Sequence, residues 1–240
     1  MHQTFFEQME RTERMIGRTG VERLNFSRVA LVGLGGVGSY VLEALVRAGI
    51  GSLVLVDHDL VERSNLNRQL LALHSTLGIS KVEVGRQRAL DINPGVEIVS
   101  WPVFCTPENC QQILNEQKLD YVVDAIDVVA SKVALIKTAR ALKLPVASSM
   151  GAGNKLDPTA FRIADISKTQ VCPLARAVRR ELRRCGIDQG VPTVYSIEPP
   201  LPVQSDSSIG SPGSISYVPA VAGLMLAGIV IKDLLKTSST

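Results

Sequence analysis

The residues that carry chemistry begin at Gly33-Leu34-Gly35-Gly36-Val37-Gly38. Glycines at this spacing permit a tight turn and let a backbone approach phosphate oxygens closely. Where such a turn opens a helix, unpaired N–H groups and the positive end of the helix dipole face the anion. The pattern means little without a strand before it and a helix after it. Arg28–Gly33 (RVALVG) reads as that strand and Val37–Ala48 as that helix. Asp57 lies 19 residues beyond Gly38, at the end of the next apolar run. A carboxylate there can accept hydrogen bonds from ribose hydroxyls; the plainer alternative is a surface-turn acid. At this point a dinucleotide-dependent dehydrogenase and a nucleotide-consuming enzyme are equally open.

The run that follows separates them. It reads Asp57-His58-Asp59-Leu60-Val61-Glu62-Arg63-Ser64-Asn65-Leu66-Asn67-Arg68-Gln69. A dehydrogenase has no use for so many polar groups beside the ribose. The Arg68 guanidinium suits phosphate oxygens, and Asn65, Asn67 and Gln69 suit sugar and phosphate oxygens. Lys81 stands in the first turn of the next expected helix, where the dipole disfavours a cation, so a role outside helix stability is expected. Asp127 follows the apolar stretch YVVD, which places it at the carboxyl end of a strand. An acid there can hold Mg²⁺ against phosphates.

These groups need a parallel sheet to bring them together, and the chain alternates in that way. Further strands are expected at Ser52–Asp57, Val96–Ser100, Tyr121–Asp124 and Pro145–Ser148. Helices are expected at Ser80–Asp91, Pro107–Glu116 and Val129–Leu142, the first opened by a capping box of Ser80 and Glu83. After Gly151 the alternation changes: Phe161–Ile166 and Thr193–Ile197 read as strands and Pro173–Arg184 as a basic helix. A Pro-, Ser- and Gly-rich stretch over 201–216 reads as a mobile loop, and an apolar helix over about Pro219 to Leu235 closes the chain. The expected fold is α/β: a Rossmann-like, doubly wound, mostly parallel sheet with helices on both faces, in one domain over 1–240.

Composition agrees. Of 240 residues, 45% are hydrophobic and 20% charged, which excludes disorder and supports a core. Aromatics make up 4%, too few for a platform that stacks single-stranded bases. The net charge of +3 permits a nucleic-acid partner without requiring one. Tyr217 to Ile231 carries no charge, yet it is shorter than the ~20 residues a bilayer demands, so a buried helix is expected and membrane contact is not. Cys105, Cys110, Cys172 and Cys185 form no C-x-x-C pair. They read as reduced thiols of a cytoplasmic protein, and no secretory signal peptide is evident.

Together GLGGVGS, D-x-D-x-V, SNLNRQ, the following Lys81 and DAID resemble the ubiquitin-activating-enzyme-like (ThiF/MoeB-like) adenylating superfamily. The resemblance covers about residues 11 to 150. It implies ATP and Mg²⁺ and the adenylation of a carboxylate: the carboxylate attacks the α-phosphorus and pyrophosphate leaves. It further implies that Gly33, Gly35, Gly36 and Gly38 lie on the phosphates and Asp57 on the ribose. Asp59 and Ser64 to Gln69 would surround the nucleotide, Arg68 and Lys81 would contact the triphosphate, and Asp127 would take the metal. Arg14, in Arg11-Thr12-Glu13-Arg14, resembles an arginine delivered into the site of a partner subunit, which implies a homodimer. Without that context Arg14 reads as a solvated helix residue.

Two departures stand out. The sulfur-carrier-activating branch bears two C-x-x-C pairs for zinc, absent here, so no zinc is expected; and Val128 replaces an asparagine after the metal acid. A second resemblance accounts for both halves of the chain. Ala125-Ile126-Asp127, Gly151-Ala152-Gly153, Asp157-Pro158-Thr159, ADISKT over 164–169 and Pro173-Leu174-Ala175 are similar to the tRNA threonylcarbamoyladenosine dehydratases. This implies ATP-dependent cyclisation of threonylcarbamoyladenosine in tRNA with net loss of water, without an enzyme nucleophile. A sulfur-relay protein is a candidate partner. The alternative is adenylation of the C-terminus of a sulfur-carrier or ubiquitin-like protein. Lys168, Arg176, Arg179, Arg180, Arg183 and Arg184 fall within 17 residues, opposed there only by Glu181. The five arginines recur at helical spacing, so one face is expected to meet a sugar-phosphate backbone; a solvated basic face is the plainer alternative.

Overall fold

In strands β1 (Arg28–Val32), β2 (Ser52–Val56) and β4 (Tyr121–Asp124), nearly every residue is buried. That is the pattern of parallel strands covered on both faces. A computed structural model describes residues 3–115, 118–202 and 212–236. The other strands are β3 (Glu97–Trp101), β5 (Val146–Ser149), β6 (Phe161–Asp165) and β7 (Pro192–Ser196). All seven join one sheet in the order β3-β2-β1-β4-β5-β7-β6. Every pairing is parallel except that of β6 with β7 at one edge. The chain leaves β1 for β2 on one side and returns to β4 on the other. The resulting crevice at the carboxyl ends is where ligands of such sheets bind.

Alternate side chains enter two apolar layers. Val29, Leu31, Leu53 and Leu55 pack with α1 (Gln3–Phe26), α2 (Gly38–Arg47), α3 (Lys81–Ile92) and α7 (Tyr217–Lys236). Ala30, Val32, Val54 and Val56 pack with α4 (Cys110–Asn115), α5 (Val129–Ala141) and α6 (Pro173–Arg184). The expected doubly wound α/β fold is therefore present, with strand ends displaced by one residue at most. α4 begins three residues after the expected start, because Asn109 Oδ1 accepts the Thr106 amide at 2.8 Å and holds a turn ahead of it. The heart of the loop expected over 201–216, residues 203–211, lies outside the described residues.

Two features depart from expectation. The sequence assigns no bounds to an element before β1, yet α1 occupies that stretch, broken at Gly17 (φ 72°, ψ 167°). Its apolar positions, among them Met9, Val21 and Leu24, are spaced around that break and only become a stripe when it bends over the core. The capping box at Ser80 is not formed: the Ser80 side chain caps nothing. The Glu83 carboxylate instead accepts from Arg86 Nε and Nη2, both at 2.9 Å, since charge-assisted bonds outcompete a neutral amide. The closing helix is present as expected: α7 is apolar enough to cross a membrane by length and composition, but half of it is buried within the fold, with Val218, Ala222, Leu226 and Val230 inaccessible.

Candidate nucleotide site

The glycine turn is forced by its neighbours. Gly33 has φ 93°, and a Cβ there would stand 2.7 Å from the Ala125 carbonyl oxygen; one on Gly38 would stand 1.8 Å from that of Gly33. The turn therefore folds onto itself between β1 and β4 as only glycine allows. The amides of Gly35, Gly36 and Val37 find no partner among the described residues, and they precede α2. This is a cradle for anionic oxygens.

Asp57 closes the cradle from β2. Its Oδ2 accepts the Leu34 amide at 2.6 Å and its Oδ1 the Asp59 amide at 2.9 Å. A carboxylate offers about four lone-pair sites, so two stay available for hydroxyls. Lys81, buried at the start of α3, donates to Asp59 Oδ2 at 2.6 Å. The cation that the dipole disfavours is thus neutralised across the cleft wall. The ligand atoms of Asp57, His58 and Asp59 lie within 4.8 Å of one another. Asn65 and Gln69 are buried, whereas Ser64 and Asn67 are exposed. Arg68 Nη1 donates to the Ser64 carbonyl at 2.7 Å and to Asn67 Oδ1 at 2.9 Å, and its stem passes beside Gly36.

These groups share one cleft of about 810 Å³, lined by Gly33, Gly35, Gly36, Asp57, Asp59, Asn65, Arg68, Gln69, Lys81 and Asp127. Ser64, Asn67 and Gly38 stand just outside its lining. The Asp127 carboxylate is exposed and has no partner among the described residues. Since Mg²⁺ is commonly held by one or two carboxylates plus substrate phosphates, Asp127 fits as a metal ligand. Arg14 does not reach this cleft: it is exposed on α1 and, among the described residues, paired only with Glu10.

Sequence reasoning missed the polar core beneath the cleft. Lys132 and Asp124 are wholly buried. Lys132 Nζ donates to Asp124 Oδ2 at 2.7 Å, to Ser148 Oγ at 3.1 Å and to the Ser149 carbonyl at 2.8 Å. Ser148 Oγ donates to Asp124 Oδ2 at 2.6 Å, and Asp124 Oδ1 accepts the Ile126 amide at 3.1 Å. This network ties the ends of β4 and β5 and shapes the turn that presents Asp127. Its partners are 8 to 24 residues apart, and no local pattern announces them. Lys155, also missed, is buried on the cleft wall and donates to the Glu198 carbonyl.

Cys105, Cys110 and Cys172 are buried and Cys185 is exposed. Cys105 and Cys172 line the cleft. Cys105 Sγ and Cys110 Sγ lie 2.9 Å apart in a hydrogen bond; that bond, then burial, pushes the Cys105 thiol up, and the same bond draws Cys110 down.

The basic face of α6 is less uniform than its spacing implies. Arg179 borders the buried side of the helix and is turned inward: its Nη1 donates to the Thr169 carbonyl at 2.6 Å and to the Thr169 hydroxyl. Arg180 and Arg184 share Glu181, whose carboxyl they hold below its usual range, and Arg183 stands 3.8 Å from Asp188. Arg176 and Lys168 are exposed, with no ion pair among the described residues.

A parallel sheet with a glycine turn at its switch point and an acid closing that turn defines a nucleotide-binding α/β protein. The chain belongs to the ThiF family, which it matches over residues 8–240. Its branch is that of the tRNA threonylcarbamoyladenosine dehydratases: it is 45% identical over 242 residues to the Bacillus subtilis protein of that name, covering 95% of each chain. The crystal structure of the Escherichia coli tRNA N6-threonylcarbamoyladenosine dehydratase with AMP superposes with a TM-score of 0.92 at 34% identity, covering 98% of this chain and 96% of that one; its ATP complex gives 0.90. The adenylyltransferase and sulfurtransferase of Candida glabrata is 35% identical over 156 residues, which are 65% of this chain and 36% of that protein.

Proposed function

We propose that this protein is an ATP-dependent tRNA threonylcarbamoyladenosine dehydratase. One observation carries the choice within the family. The adenylyltransferase and sulfurtransferase relative aligns over 65% of the chain, whereas the Bacillus subtilis dehydratase aligns over 95% of it. The far wall of the cleft is built from residues 149–155, 172–174 and 200.

The substrate carboxylate attacks the α-phosphorus of ATP, and pyrophosphate leaves. A carbamoyl atom of the same nucleoside then attacks the acyl carbon and expels AMP. The amides of Gly35, Gly36 and Val37, with Arg68, receive the negative charge gathering on the phosphates, and Asp57 orients the ribose. Lys81 contacts the triphosphate when the Asp59 pair opens toward it. Asp127 would hold Mg²⁺, which would offset phosphate charge. No protein nucleophile takes part. The working unit is a cytoplasmic homodimer in which Arg14 enters the neighbour's cleft. Neither structural zinc nor membrane contact is part of this reading, and a sulfur-relay protein is a candidate partner that the mechanism does not require.

The decisive measurement is nucleoside mass spectrometry of tRNA incubated with protein, ATP and Mg²⁺. The expected product is threonylcarbamoyladenosine lighter by one water. Unaltered nucleoside, with AMP appearing instead on the C-terminus of a sulfur-carrier protein, would overturn the assignment.

The tRNA backbone is expected to meet α6 through Arg176, Arg180 and Arg183, because Arg179 is committed to Thr169. Reversing those three to glutamate is expected to weaken tRNA binding and flatten its dependence on salt, with ATP affinity unchanged. Titrations at several salt concentrations check this; an unchanged slope would make the arginines a solvated face.

A further inference from the structure

The cleft holds an uncompensated cation that nothing above assigns. Of the cations lining it, Lys81 is neutralised by Asp59, and Arg68 stands over the glycine turn. Lys155 belongs to the opposite wall, after β5, and is 3% exposed. Its ammonium donates to the Glu198 carbonyl, and no carboxylate lies within ion-pair distance among the described residues. The Glu198 carboxylate, the nearest candidate in sequence terms, is already taken: Oε1 accepts the Leu156 amide and Oε2 the Asp157 amide, both at 3.0 Å. A buried ammonium is costly without an anion, and two of its three donors have no acceptor among the described residues.

Position shows which anion fits. The ribose acid Asp57 and the ion pair of Asp59 with Lys81 lie beyond β2, and the phosphate cradle lies at β1. The nucleotide thus fills the half of the crevice toward β2 and β3. Lys155 and Pro200 wall the half toward β5 and β7, the side left for the second substrate. The anion that this substrate must bring there is a carboxylate.

Resting on the dehydratase reading, we propose that Lys155 is a substrate-binding residue that holds the carboxylate of the threonylcarbamoyl group beside the α-phosphate. One carboxylate oxygen attacks phosphorus while the other faces Nζ. After adenylation that second oxygen is the acyl carbonyl oxygen, on which negative charge gathers during ring closure. The same ammonium serves both steps.

The test uses the full chain, an unreactive ATP analogue, and an anticodon stem-loop bearing either threonylcarbamoyladenosine or its methyl ester. The wild type is expected to prefer the acid to the neutral ester by about tenfold or more, the scale of one hydrogen bond to a charged group. Lys155→Gln, which keeps an N–H for the Glu198 carbonyl but no charge, is expected to erase that preference with analogue affinity unchanged. Lys155→Arg is expected to restore much of it, and it supplies the comparison if the glutamine variant fails to fold. An acid-to-ester ratio unaltered in the glutamine variant overturns the assignment, as does an arginine variant that folds yet loses the preference. So does a parallel loss of analogue affinity, the mark of a purely structural lysine. Absence of dehydrated nucleoside with the wild type and ATP overturns the functional reading instead, and the role of Lys155 falls with it.

Discussion

Arg14→Ala is expected to lower turnover by about 10³-fold while leaving ATP affinity nearly unchanged. A guanidinium delivered to the α-phosphate acts where charge builds during adenylation, so its loss falls mainly on the transition state. Arg14 is exposed and absent from its own cleft, which suits delivery to a neighbour. Asp127→Ala is expected to inactivate the enzyme from the other side of the same site. Mixing the two variants is then expected to recover activity, since one site of each mixed dimer combines an intact Arg14 with an intact Asp127. Random pairing makes about half the dimers mixed, each with one good site, so recovery approaches about a quarter of wild type. Differently tagged subunits establish that exchange has occurred. Mixed dimers that form and stay inactive would place the action of Arg14 in cis or outside catalysis.

The second large effect is on stability. Lys132→Met is expected to destabilise the fold by about 3–5 kcal/mol, because it strands the Asp124 carboxylate at zero exposure. Removing both charges, as Asp124→Asn with Lys132→Met, is expected to cost clearly less than the sum of the single changes. A charge-free pair of similar volume escapes the penalty of an unpaired buried ion. Denaturant unfolding of the four proteins measures the coupling; additive losses would mean that the two charges act independently. Since the Ser148–Ser149 end of β5 and the turn before Asp127 hang on this network, the single variant is also expected to weaken Mg²⁺-dependent nucleotide binding.

The phosphate turn, the acid after β2 and the position of all seven strands are legible in the chain because each is a local signal. A strand buried on both faces must be an apolar run, and a turn that folds onto its own carbonyl must be glycine. The α6 helix is equally legible, as a proline at its start and arginines at three–four spacing. What local patterns do not carry is which charges find each other. Lys81 meets Asp59 across 22 residues, Lys132 meets Asp124 and Ser148, and Arg179 bends to Thr169. Each pairing depends on how helices settle on the sheet. For the same reason the sequence announced a capping box at Ser80 that two bonds from Arg86 displaced, and left the helix before β1 without bounds. It determined a nucleotide-binding, doubly wound protein with a basic helix. Tertiary structure decided which cations stay uncompensated, because a buried charge is defined by what packs around it. Among the described residues, Arg68 at the phosphate turn and Lys155 on the opposite wall line the cleft without a carboxylate partner.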